Sequence, residues 1–284
     1  MAERYNAFSF VDRISSLEPG IRAKGHFRVP GAVEDFPSSL VAEAIGQLAA
    51  WVSMDQLDYR FRPVAGIAAE LTFLRAVQPG QRLDLEVEID NCSGTDVAYG
   101  GRALVDGKVV VELHHSLGPM LPMEEFDQPA DVRERFALLR DLGAPEGRYQ
   151  GVPEIELVPL EQIPGQMLKA TLRVPETAPF FGDHFPRRPV FPATLLLNTQ
   201  LKAAIRLASE SDYWPRNTPL WAGRVRDLKM RSFILPGQEP EIRLALADPV
   251  QGFALATMTT HIGGKRVAHA LAEIGPLTVS PEKR

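Results

Sequence analysis

The sequence predicts an α+β protein built from two tandem copies of one unit, each a long apolar helix wrapped by a curved antiparallel sheet. Three observations predict it. The chain repeats itself: "LEPGIRAKGHFRVP" ends at Pro30 and "QIPGQMLKATLRVP" at Pro175, 145 positions later, and both read as a Pro-Gly turn feeding an alternating strand. Each copy then has one strong helix opening just after a proline, "SSLVAEAIGQLAAWVSM" at 38–54 and "ATLLLNTQLKAAIRLAS" at 193–209. After each helix come alternating segments cut by matching turns, Pro79-Gly80 against Pro236-Gly237 and Gly107-Lys108 against Gly264-Lys265, both pairs 157 positions apart.

In each copy a short strand and a Pro-Gly turn come first, then a strand, then the helix. Segments such as "LDLEVEI", "AYGGRALV" and "KVVVELHHSL" come next, with the period-two alternation of half-buried strands. A helix apolar on most of its circumference needs something wrapped around it, and the antiparallel run stands directly after it in sequence. The chain therefore divides into a first unit at 1–121, a linker at 122–151 with a short helix at 131–142, and a second unit at 152–284. The linker's charges are expected on a solvated face.

Composition narrows the function. A net charge of −5 and no long Lys/Arg cluster disfavour a nucleic-acid partner. Cys92 is the sole cysteine, which leaves no disulfide framework and no cysteine zinc site. The N-terminal "MAERYNAFSFVDRI" has no apolar core of signal-peptide length and no apolar run is long enough for a membrane span, so a soluble, cytoplasmic protein is expected. There is no GxSxG elbow, GxGxxG turn or phosphate-binding GxxxxGKS loop, and no two histidines share a helical ligand spacing, so no metal is inferred.

The copies differ most between the RVP strand and the helix. The first passes from Pro30 to Glu43 in thirteen steps, the second from Pro175 to Asn198 in twenty-three. The ten extra residues fall within "FFGDHFPRRPVFP" and make a loop that carries His184 and has no counterpart in the first copy.

These residues resemble the 3-hydroxyacyl-acyl-carrier-protein dehydratases of the hot-dog fold, the FabA/FabZ type. The resemblance rests on "FFGDHFPRRPVFPATLL" in the second copy and on "FVDRISSLEPG", "FPSSLVAEAIGQLAAW", "AVQPGQRL" and "ALVDGKVV" in the first, so it covers nearly the whole chain twice. It implies a double hot-dog, with two units side by side and active sites at their interface. Each such site takes a histidine from one unit and a carboxylate from the central helix of the other. The family's acid lies fourteen residues after its histidine, and fourteen after His184 stands Asn198. The aligned helix position of the first copy is Glu43. One copy has kept the acid and the other the histidine, so the resemblance implies one composite site, His184 facing Glu43, and an inert second site at Asn198.

Removal of water from a 3-hydroxyacyl thioester needs a base for the C2 proton and an acid for the C3 hydroxyl. His184 suits the first role because its pKa is near neutral. Glu43, flanked by Leu40, Val41, Ala44 and Ile45, is expected to be desolvated toward the protonated form that donates. The backbone N–H of Ala193, where the family usually has glycine, is the candidate donor to the thioester oxygen. Gln47, one turn after Glu43, is a candidate to orient the carboxylate. Arg187 and Arg188 are candidates to contact an acidic carrier protein or the phosphate of its arm, with a solvated basic pair as the alternative.

The leading expectation is dehydration of a carrier-bound 3-hydroxyacyl chain in fatty-acid or polyketide-type synthesis. No cofactor is required beyond the substrate's own 4'-phosphopantetheine arm, on acyl carrier protein or coenzyme A. A hot-dog thioesterase and a non-catalytic acyl-binding subunit stay open, as does isomerisation of the enoyl product. A monomeric pseudo-dimer suffices for the site, and a further homo-dimer remains open.

Overall fold

The computed structural model describes residues 4–64 and 66–277. The first unit contributes β1 (Arg13–Glu18), β2 (Arg22–Arg28), α1 (Ser38–Gln56), β3 (Phe61–Pro63), β4 (Ile67–Phe73), β5 (Arg82–Cys92), β6 (Asp96–Val105) and β7 (Lys108–Pro122). After α2 (Pro129–Asp141), the second contributes β8 (Leu157–Ile163), β9 (Met167–Leu172), α3 (Ala193–Ser209), β10 (Leu220–Met230), β11 (Glu241–Leu246), β12 (Ala254–Ile262) and β13 (Lys265–Pro276).

The repeat in sequence becomes a repeat in topology. The first unit's strands lie in the order β1-β2-β5-β6-β7-β4 and the second's in the order β8-β9-β11-β12-β13-β10, the same arrangement element for element. The two join where β4 and β10 pair antiparallel, with Leu71 opposite Val225, so one sheet runs through both units while β3 adds to the end of β7. This edge pairing buries the backbone donors and acceptors that each unit would otherwise leave open.

Local sequence explains the elements. In β2 and β12 the inward residues Ala23, Gly25, Phe27 and Ala254, Ala256, Met258, Thr260 alternate with less buried ones, as a sheet with one face on the core demands. Pro37 and Pro192 hold extended backbone immediately before α1 and α3, so each helix starts there. Helix α1 buries Leu40, Val41, Ala44, Ile45, Leu48, Ala49 and Val52, nearly all round, because the sheet wraps it and α3 packs beside it. Gly101 of β6 permits that close approach: a Cβ there would sit 2.6 Å from both the Ile45 side chain and the Glu86 carbonyl.

The linker is bound to the first unit. Val132, Phe136 and Leu139 of α2 are buried, with the Phe136 ring 6.2 Å from Trp51 and 6.0 Å from Tyr59. The expectation that its charges face water is corrected at two positions: Asp127 is 1% exposed and Arg135 8%. Asp127 is drawn inside by Arg4 and Arg62, and Arg135 by the face of Tyr5. Among the described residues no helix is long and apolar enough to cross a membrane.

Candidate active site

The histidine loop is closed by its own backbone. The Val190 N–H donates to the His184 carbonyl at 3.1 Å, the Phe191 N–H to Ile234 at 2.7 Å and the Arg187 N–H to Phe126 at 3.1 Å. His184 Nδ1 lies 3.0 Å from the Val190 carbonyl. A carbonyl only accepts, so Nδ1 carries the proton and Nε2 of the neutral ring holds the free lone pair. The imidazole stacks on Phe185 with centroids 4.2 Å apart and meets the edge of Phe8 at 5.6 Å. Burial pushes the His184 pKa below its ordinary value, with Glu43 pulling it up and Arg62 adding to the depression.

Glu43 enters from the first unit, half-buried on α1. Gln47, one turn on, donates from Nε2 to Oε1 at 3.1 Å, and Thr194 of α3 donates to Oε2 at 2.8 Å. Gln47 is itself held, accepting the Phe10 N–H at 2.8 Å and donating to the Phe8 carbonyl at 3.0 Å. Next to His184, the Asp183 carboxylate accepts the backbone N–H groups of Tyr5, Ala7 and Phe8. The N-terminal stretch of chain thus ties Asp183 to Gln47, and through Gln47 to Glu43, so one hydrogen-bonded chain runs from the residue beside His184 to the carboxylate.

Two cavities meet at this point. A smaller cavity of about 130 Å³ is lined by Glu43, Gln47, Tyr99, Arg62, His184 and Ala193 among others, none of them exposed residues. A larger one of about 210 Å³ is lined by His184, Phe185, Ala193, Met230 and the exposed Pro119, Arg231 and Ser232. Ala193 opens α3, whose first bonded amides, Leu195 and Leu196, take the Pro192 carbonyl and whose first turn no side chain caps. Its N–H is one of the helix's orphan donors, at the wall common to both cavities.

Arg187 and Arg188 are exposed at the loop's rim and engaged with the turn at 123–126: Arg187 donates to the Glu124 carbonyl at 2.9 Å, while Arg188 pairs with Glu125 and lies over Phe126 and Phe233. At the place related to Glu43 by the repeat, Asn198 lines a separate groove with Pro37, Lys202 and Arg206, and no histidine lines it. Thr194, Asp183 and Arg62 are absent from the sequence-derived candidates. Asp183 adjoins the histidine and was the one open to inspection; Thr194 and Arg62 carry no local mark.

An antiparallel sheet wrapped twice around paired central helices, with a histidine and a carboxylate on opposite units at one cavity, defines a double hot-dog protein. The solved structures agree on the fold: a protein titled oleoyl thioesterase (putative) from Lactobacillus plantarum superposes with a TM-score of 0.59 at 8% identity, covering 91% of this chain and 97% of that one. A hot-dog protein from Alicyclobacillus acidocaldarius gives 0.54 at 13%, covering 97% and 98%. The ApeI-like family, described as ApeI dehydratase, matches residues 161–264. The 3-hydroxyacyl-[acyl-carrier-protein] dehydratase FabZ of Bacillus subtilis (strain 168) is 39% identical over 125 residues, spanning 39% of this chain and 88% of the relative. That of Clostridium acetobutylicum is 34% identical over 114 residues, 36% and 80%. The chain belongs to the FabA/FabZ-like dehydratase family of the hot-dog fold, with two units in tandem.

Proposed function

We propose that the protein dehydrates a 3-hydroxyacyl thioester, carried on acyl carrier protein, to the trans-2-enoyl thioester at one composite site between its units. The observation that carries this reading is that His184 and Glu43, from different units, line one cavity with the histidine's tautomer set by Val190. The cavity of about 210 Å³ has exposed residues in its lining and the smaller one has none, which supports placing the thioester arm in the first and the acyl tail in the second. The carbonyl then lies at the shared wall, by the Ala193 N–H.

His184 Nε2 removes the C2 proton, and the electron pair moves toward the thioester oxygen, where the Ala193 N–H and the α3 dipole stabilise the developing charge. As the C2–C3 double bond forms, the C3–oxygen bond breaks and Glu43 supplies the proton with which hydroxide leaves as water. Gln47 and Thr194 hold the Glu43 oxygens in place for that transfer. Hydration is the same path reversed. The groove at Asn198 lacks both partners and is read as inert.

The test is the ultraviolet absorbance of a short trans-2-enoyl thioester on acyl carrier protein, mixed with the parent protein, His184→Ala and Glu43→Gln. Loss of the conjugated absorbance with the parent and not with either variant is the expected result. Absence of any change with the folded parent across several chain lengths would reject the reading in favour of a thioesterase or an acyl-binding subunit.

A further inference from the structure

The smaller cavity has a largely apolar lining, with Phe8, Trp51, Met54, Val97 and Phe185 in it, and that lining is interrupted by a cation. Arg62 of β3 lines it beside Glu43 and His184, with its side chain 15% exposed. Its guanidinium carbon stands 4.2 Å above the Phe185 ring, and that ring stands 4.2 Å from the His184 imidazole. These two spacings bound the distance from guanidinium to imidazole at 8.4 Å.

The positive charge of Arg62 is balanced only in part, by a long ion pair with Asp127 and by the more distant Glu43. Asp127 Oδ2 accepts from Arg62 at a long 3.5 Å, while Arg4 donates to both Asp127 oxygens at 2.7 Å and the Gln128 N–H to Oδ1 at 2.8 Å, so Asp127 is shared and engages Arg4 more closely. Glu43 lines the same cavity, accepts from Gln47 and Thr194, and acts on Arg62 only through its field. A third arginine, Arg135, lies 4.9 Å over Tyr5 with its Nε buried and without a hydrogen-bond partner among the described residues. Tyr5 itself lines the cavity, its hydroxyl oxygen accepting from Arg4 at 3.2 Å, which leaves the phenolic proton to donate. Arg62 and Tyr5 thus stand in the cavity lining, while Arg4 and Arg135 lie over the Tyr5 ring without lining the cavity themselves.

We propose that this part of the lining is an anion subsite, built on Arg62 and assisted by Tyr5, that takes the carboxylate at the far end of a short acyl chain. The substrate class is then a half-thioester of a dicarboxylic acid. This rests on the dehydratase reading for the reaction, and on the geometry alone for the binding. An alkyl tail entering the cavity removes water from Arg62 and returns no acceptor, whereas a terminal carboxylate replaces that water with charge-assisted hydrogen bonds in the planar fork geometry that arginine favours. The small cavity volume and the short span from His184 to Arg62 suit a chain of few carbons.

The experiment compares S-(5-carboxypentyl)pantetheine with S-hexylpantetheine, two inert thioethers of equal chain length, by calorimetry on the full-length protein. In parallel, trans-2-hexenedioyl and trans-2-hexenoyl thioesters on acyl carrier protein are followed by absorbance. The parent is expected to bind the carboxylated thioether at least tenfold more tightly and to turn over the hexenedioyl thioester with the higher kcat/KM. Arg62→Met, shown folded by its thermal melt, is expected to lose that preference, and Arg62→Lys to keep part of it. Equal or weaker binding of the carboxylated thioether by the parent overturns the proposal, and so does an undiminished preference in Arg62→Met. If no enoyl thioester turns over while the binding preference persists in the parent and vanishes in Arg62→Met, the dehydratase reading falls and the anion subsite stands.

Discussion

Thr194, the second residue of α3, donates a 2.8 Å hydrogen bond to Oε2 of Glu43 on α1, joining side chains 151 positions apart in sequence. The bond crosses the boundary between the units, so the carboxylate of one is oriented by the other. Thr194→Val keeps the shape and removes the donor. Hydrogen bonds to charged groups contribute about 1.5–3 kcal/mol, so kcat for the enoyl thioester is expected to fall by about tenfold to a hundredfold. Thr194→Ser should recover most of the loss, while the thermal midpoint of both variants stays near the parent's. Full activity in Thr194→Val would show that Gln47 alone suffices.

Asp183 works on the other half of the pair. Its two carboxylate oxygens accept three backbone N–H groups, from Tyr5, Ala7 and Phe8, and its side chain is nearly buried. A side-chain amide in its place would retain a single acceptor oxygen, so Asp183→Asn is expected to cost about 2–4 kcal/mol in urea unfolding. The amides of residues 5–8 should exchange with deuterium faster than in the parent. Because Phe8 also bonds Gln47, Glu43 should lose order as well, and kcat should drop together with stability.

Much of the fold was legible because the repeat carries it. Two copies of a Pro-Gly turn, an alternating strand and a proline-led helix constrain one another, and the topology repeats strand for strand. That Glu43 and His184 would meet at one cavity was legible through complementary loss, each copy having what the other lacks. Thr194 was not, since a threonine in a helix's first turn reads as ordinary until the β4–β10 register brings α3 against α1. Arg62 was hidden for the same reason: its environment is made by Phe185 and Asp127, both distant in sequence. The linker was misread because a charged stretch looks solvated, whereas Asp127 and Arg135 find their partners at residues 4, 5 and 62.

Asp12 should make stability depend on pH. It is 6% exposed, and burial pushes its pKa up to about 7, with the Arg28 N–H at 2.7 Å opposing and Glu146 reinforcing the rise. A carboxyl whose folded pKa lies above its unfolded value contributes stability that is complete below the unfolded pKa, about 4, and lost as pH rises through the folded one. Asp12→Asn keeps an acceptor for Arg28 and cannot ionise. It is expected to match the parent near pH 4 and to exceed it by about 2 kcal/mol at pH 8, discounted for partial hydration. A difference in urea midpoints that does not grow between these pH values would contradict the burial of a neutral Asp12.

The pH profile of dehydration, monitored as the gain of conjugated absorbance from a 3-hydroxyacyl thioester, should follow His184. Removal of the C2 proton needs the neutral ring, and burial together with Arg62 holds the His184 pKa below the ordinary histidine value of about 6.5. The competent fraction is therefore complete at neutral pH and declines as pH falls through that lowered value, which places the acidic limb of kcat/KM below pH 6.5 or so. Arg62→Met removes a cation whose influence on the imidazole is to oppose protonation. Its acidic limb is expected to move toward higher pH, whichever acyl tail the substrate carries. The effect on tail preference and the effect on the limb are separable, because the first compares two substrates at one pH and the second compares one substrate across pH. A limb that stays in place while tail preference is lost would mean that Arg62 acts on the substrate alone; a limb that moves with preference unchanged would mean that it acts on the histidine alone.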